Sequence, residues 1–277
     1  MIVNRGKRSG KRRLFAKSQL FTGRILLRRA PTLQRELPQF VIIRIADDVI
    51  THLHFWNRAA NLSLEDESTL LALLGRLQNS RAVGRLRQFE NEHFAGLAGR
   101  KLLGEWRDFY LVMSERWTGI DPKRRLKWAG PDMSARSSIT ARIMETWAHG
   151  QAVFDLLGVE RVDTDRLKNI AVLGVNTFGW TFKNRGLEIP ESAPQIRLTA
   201  PSGTLWEWNA PNPSDGVEGS ATEFCQVVTQ IRNLSDTNLC VTGETAQRWM
   251  LLAQCFAGPP ETPPTPGTRF VQFVGLA

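Results

Sequence analysis

The stretch that decides the fold is KWAGPDMSARSSITARIMETWAHGQAVFDLLG, residues 127–158. Gly130 and Pro131 break the chain, and Ser134 is placed to cap a long helix from about Ala135 to Leu157, with Gly158 as its left-handed stop. Glu145 and His149 lie four residues apart on that helix. Four residues are about 400° of turn and about 6 Å of rise, so the carboxylate and the imidazole share one face. Such a pair can be two ligands of a metal ion or an ordinary i,i+4 surface contact, and spacing alone leaves both readings open.

Upstream, the helical pattern begins at Asp47 and continues to about Trp117, in DDVITHLHFWNRAANLS, EDESTLLALLGRLQ, AVGRLRQFENEHFAGLAGRKLL and EWRDFYLVMSERW. The paired acids Asp47 and Asp48 suit a helix N-terminus. Downstream, a helix is expected from about Asp165 to Asn184. After Pro190 the period changes: PQIRLTAPSGTLWEWNAP reads as two strands around Ser202-Gly203, SATEFCQVVTQIRN as a helix, NLCVTG as a strand and ETAQRWMLLAQCFA as a helix. The expectation is a mainly α protein. A helical bundle spans 47–187, a small α+β domain 188–258, and a Pro-rich, disordered tail 259–277.

Residues 1–46 differ from the rest. They carry twelve basic side chains and one acidic one, which exceeds the whole net charge of +9, so the body of the chain is slightly acidic. This segment reads as a disordered basic arm, as something like a transit peptide, or as a stretch foreign to the domain, with only FVII, residues 40–43, suggesting a strand. Basic charge confined to an arm gives no reason to expect nucleic acid as the partner of the core; binding through the arm alone would be salt-sensitive. No apolar run approaches the ~18 residues of a membrane span. The three cysteines, Cys225, Cys240 and Cys255, form no C-x-x-C pair and suit reduced, mostly buried thiols of a cytoplasmic protein.

Only four histidines are present: His52, His54, His93 and His149. An open zinc site takes three protein ligands and a water, so His52 or His54 can complete the pair on the long helix, but not both, since two residues are about 200° of turn. Asp48, one turn before His52, is placed to hold its second ring nitrogen. His93, in FENEHF, reads as solvated. Phosphate-loop, dinucleotide, nucleophile-elbow and H-E-x-x-H motifs are absent. The turn WAGPDMSARS with Arg136 could hold an anion at the helix start, but reads more simply as a capped turn. The tryptophans read as core or interface anchors.

The run W-x-G-P-x-M-S-A-R-S followed by M-E-T-W-A-H-G-Q resembles the bacterial metal-binding family related to mycothiol-dependent maleylpyruvate isomerase, within the DinB/YfiT-like superfamily. The likeness extends through LTAPSGTLWEW, FCQVVTQIRN and AQCFAGPP, over roughly residues 47–260. It implies a DinB-like four-helix bundle followed by the small α+β domain. It also implies a divalent metal, most simply Zn2+, held by His52 of the His52-Leu53 pair with Glu145 and His149. The implied activity is isomerisation or transfer dependent on mycothiol or another small thiol, acting on an unidentified small molecule, with Arg232 supplied by the C-terminal domain as a catalytic residue. The alternative is a non-catalytic metal-binding or interaction module with a vestigial site. Relatives carry a first bundle helix and a P-G-W-T segment before the histidine helix. Here that place reads Ile42-Ile43-Arg44-Ile45, so the first helix is expected to be missing or replaced.

Overall fold

The computed structural model describes residues 39–130 and 132–269. Helix α1, Gln39–Glu65, is followed by α2, Glu67–Ala82, α3, Leu86–Glu92, and α4, Gly99–Trp117. Two short strands, β1, Arg125–Leu126, and β2, Met133–Ser134, pair antiparallel and lead into α5, Ala135–Leu157. Then come α6, Lys168–Asn176, and α7, Phe178–Lys183. Strands β3, Gln195–Thr199, β4, Leu205–Trp208, and β5, Gly216–Ser220, precede α8, Ala221–Val228, and β6, Cys240–Thr242, and α9, Glu244–Leu252, closes the series. The protein is mainly helical, a helical bundle with a small α+β part after it.

Helix α1 is the axis of the bundle, with α2, α4 and α5 packed along it. Its 27 residues span about 40 Å. It starts eight residues before Asp47, so the acids expected at its N-terminus lie inside it, and the expected strand at residues 40–43 is helical. Asp47 serves a different helix: its carboxylate accepts the backbone N–H of Gly99 at 2.9 Å, at the first residue of α4. That satisfies one of the donors every helix start leaves open. The readings for residues 1–38, including a missing or replaced first helix, lie outside the described residues.

Helix α1 ends because Asp66 caps the next helix, accepting the backbone N–H of Thr69 at 3.0 Å. Ser134 does the same for α5, accepting from Ser137 N–H at 3.1 Å, and Gly158 ends it at φ 63°. Both ends of α5 thus fall where local side-chain chemistry places them. Arg136 in the first turn is exposed. The single helix expected from Asp165 to Asn184 is broken instead: the Thr177 hydroxyl donates to the Leu173 carbonyl at 2.8 Å, between α6 and α7.

Two apolar cores result. Phe55, Ala59, Leu70, Leu73, Phe94 and Leu102 unite α1 to α4. The larger core joins Met144, Trp147 and Ala148 of α5, Ile170 of α6 and Phe182 of α7 to Ile196, Val217, Phe224 and Trp249 of the C-terminal part. That core is continuous across residue 188. The four-stranded sheet has the order β4-β3-β5-β6, with β3 and β4 forming the expected hairpin and β3 and β5 running parallel. Strand β5, GVEGS, has weak strand propensity and forms through pairing, with Val217 opposite Ile196 and both fully buried.

The Pro-rich segment is ordered over its described part. The Glu261 carbonyl accepts from Arg185 and Gln230, the Pro264 carbonyl accepts from Asn233, and Gly267 N–H donates to Asp236. Backbone groups left without partners by proline-rich sequence are satisfied by side chains of the body. This corrects the expectation of disorder for residues 259–269.

Candidate metal centre

Helix α5 carries two faces. Met144, Trp147 and Ala148 enter the larger core, while Ser138, Arg142, Glu145 and His149 form a polar stripe at i, i+4, i+7 and i+11. That stripe meets α1, whose His52 is 8% exposed. One ligand atom each from His52, Glu145 and His149 lies within 4.8 Å of the others. His149 Nε2 is 3.0 Å from Glu145 Oε2, and His52 Nε2 is 3.9 Å from the same oxygen. The two imidazoles stand edge to face, 4.7 Å between centroids. Two ligand atoms each about 2.0–2.1 Å from a tetrahedral zinc are about 3.3 Å apart, so the donors already bracket the separation an ion requires.

His52 is oriented from behind. Its Nδ1–H donates to Glu90 Oε1 at 3.0 Å, so in the neutral imidazole the lone pair is on Nε2, the nitrogen facing Glu145. Glu90, on α3, is fully buried and also accepts from Trp56 Nε1 at 2.9 Å and from Arg87 at 3.2 Å. This is the role expected of Asp48. Asp48 instead is exposed, and its backbone carbonyl accepts from Arg87 at 3.0 Å. Leu86, Glu90 and Phe94 recur every fourth residue, so a carboxylate on an otherwise apolar stripe was the available signal for Glu90.

Burial and charge oppose each other here. Burial raises the Glu145 carboxyl, but the hydrogen bond with His149 and the imidazole of His52 beside it outweigh this and hold the group well below the usual carboxylate range. Burial also pulls His52 down, and the nearby Glu145 carboxylate with the hydrogen bond to Glu90 leaves it above its ordinary value. His149 falls below its own, chiefly by burial.

The other histidines lie elsewhere. His54 is on the far side of α1, stacked on Phe94 at 4.5 Å, and His93 is exposed. Cys225 and Cys255 are buried, with thiols pushed up by burial, and Cys240 is exposed. The Arg232 guanidinium forms a two-pronged pair with Asp155, at 2.9 and 2.7 Å. Asp155 is six residues past His149 on α5, about 9 Å along the axis. The pair borders a polar cavity of about 640 Å³ between the end of α5 and α8. No described helix is long and apolar enough to cross a membrane.

Residues 46–154 match the family described as mycothiol maleylpyruvate isomerase N-terminal domain. Two uncharacterized proteins from two strains of Mycobacterium tuberculosis, MT0041 and Rv0036c, are each 40% identical over 211 residues, covering 76% of this chain and 81% of theirs. No solved structure matches. The chain belongs to the mycothiol maleylpyruvate isomerase N-terminal domain family, within the DinB-like superfamily.

Proposed function

We propose that this protein is a divalent-metal-dependent, thiol-using isomerase or transferase, with His52, Glu145 and His149 as the ligands of one zinc ion. The observation that carries this reading is the convergence of three donor atoms within 4.8 Å, one of them fixed in its tautomer by Glu90. Three protein ligands leave one position open, and a bound divalent ion would supply there the charge that keeps a small thiol deprotonated. Mycothiol is the thiol the family points to.

The remaining steps belong to the chain itself. Glu90 keeps the proton of His52 on Nδ1, away from the ligand side. Trp56, packed on Trp128 at 5.6 Å between ring centroids, donates to Glu90 and helps hold it in place. Arg232, beside the polar cavity, is the residue of the C-terminal part assigned to the distal end of the thiol or substrate.

Elemental analysis of the full-length protein tests the metal. One zinc per chain is expected, lost in His149→Ala and Glu145→Gln; stoichiometric zinc in His149→Ala would overturn the assignment. Cobalt substitution tests the thiol: mycothiol should produce a thiolate-to-cobalt charge-transfer band. Tight metal binding without that band would favour a non-catalytic metal module.

A further inference from the structure

The polar cavity of about 640 Å³ between the end of α5 and α8 has the volume of a small-molecule site. Its walls bring five carboxylates and two guanidinium groups together. Both guanidinium groups are already matched within the wall. Arg232 is paired with Asp155, and Arg161 with Asp163 at 3.5 Å. Glu160, Glu223 and Asp236 are left, and among the described residues no ion pair engages them. The cavity therefore carries three negative charges in excess, in a chain whose net charge is +9.

Two of these carboxylates are held in place. Glu223 Oε1 accepts the backbone N–H and the side-chain amide of Asn238, each at 3.1 Å, which fixes the group through one of its oxygens. Asp236 Oδ1 accepts Gly267 N–H at 2.8 Å, and its Oδ2 is buried with no donor. A buried carboxylate oxygen without a donor is costly unless a cation lies near it, and low-dielectric walls carry that attraction across a cavity. One metal ion does not suit the arrangement. Among the described residues only His52, Glu145 and His149 bring three donor atoms within 4.8 Å of one another, so the cavity carboxylates are too spread for three of them to share an ion. Separated negative charges fit a longer cation with separated positive ones. Phe154 and Val159 add apolar surface to the lining.

We propose that this cavity binds a small aliphatic polyamine, its ammonium groups set against Glu160, Glu223 and Asp236 and its methylenes against Phe154 and Val159. An alkylammonium chain joins separated positive charges by apolar linkers, which matches carboxylates spread over a partly apolar wall. The inference goes beyond the metal reading and does not depend on it.

Calorimetric titration of the full-length protein with putrescine and spermidine, and with neutral 1,4-butanediol and Mg2+, tests the proposal on metal-free and zinc-loaded samples. Wild type should bind one amine per chain, with butanediol weaker by about tenfold or more and the amine's affinity falling as salt is raised. Glu223→Gln keeps the oxygen that accepts from Asn238 and should weaken the amine by about tenfold or more, as should Asp236→Asn. Glu105→Gln, at an exposed position of α4, should change nothing. If Glu223→Gln does not fold, Asp236→Asn decides, since an unchanged affinity there overturns the proposal. No saturable amine binding by wild type overturns it too, and so does equal weakening by Glu105→Gln, the mark of diffuse surface charge. Mg2+ that displaces the amine and is itself lost in the two cavity variants would make this a metal site and overturn the amine assignment. His149→Ala should keep amine binding; its loss there places the amine at the metal centre and overturns the inference. Amine binding by a protein that takes up no zinc supports the cavity site and sinks only the metal reading.

Discussion

Glu90 accepts the Nδ1 proton of His52 at 3.0 Å across 38 residues of sequence, and it does so from a fully buried position on a different helix. That bond sets which nitrogen of His52 faces Glu145 and His149. Groups in this position usually change metal affinity by about ten- to a hundredfold when altered. Glu90→Gln keeps the shape but loses the charge that makes His52 a strong donor. Chelator competition should show zinc affinity reduced by about that factor. An unchanged dissociation constant would show that Glu90 serves only packing.

Zinc should stabilise the wild type and not His149→Ala. A ligand that binds only the folded state at about a hundred times its dissociation constant adds about 2.7 kcal/mol. Thermal melts with and without zinc should therefore separate in wild type and coincide in His149→Ala. Equal zinc-induced shifts in the two proteins would place the ion elsewhere.

His54 gives the bundle a built-in acid sensitivity. Its Nδ1 is buried without a partner, and burial, with the charge of Arg58 adding, holds its pKa down at about 4. The unfolded chain takes up this proton near 6.5, the folded one only near 4, so stability is full above 6.5 and is lost as pH falls towards 4. Between about pH 7.5 and about pH 5 this single group costs about 2 kcal/mol. In His54→Phe, which keeps the stacking on Phe94, urea titrations should show a loss over that interval smaller by about the same amount. Parallel pH profiles would refute this.

Gly174 holds α6 against α8. A Cβ there would stand 2.9 Å from Val228 and 3.0 Å from Phe224, both buried. Alanine is the better helix former by about 1 kcal/mol, but overpacking a closed core costs about 1–3 kcal/mol. Gly174→Ala should lower the denaturant midpoint, and a raised midpoint would show that α8 gives way freely.

Much of α5 was legible in the sequence because its determinants are local. Ser134 caps, Gly158 stops, and the four-residue spacing of Glu145 and His149 shares a face in any helix. The hairpin at Ser202-Gly203 was legible for the same reason. The start of α1 was not, because acids at Asp47 and Asp48 look the same whether they begin a helix or lie inside one whose neighbour needs a cap. Strand β5 was hidden by its glycines, since pairing with β3 rather than propensity makes it a strand.

By itself, then, the sequence determined the helix that carries two of the three candidate ligands, the candidates themselves and the helical class of the bundle. Tertiary structure alone decided that Glu90 and not Asp48 stands behind His52, that Arg232 is paired with Asp155, and that Arg142 lies over Trp128. The physical reason is the range of the interactions. Helix caps and i,i+4 faces are set within one or two turns of chain. The partner of a buried charge is whichever group packing brings within about 3 Å, and that choice is made between helices.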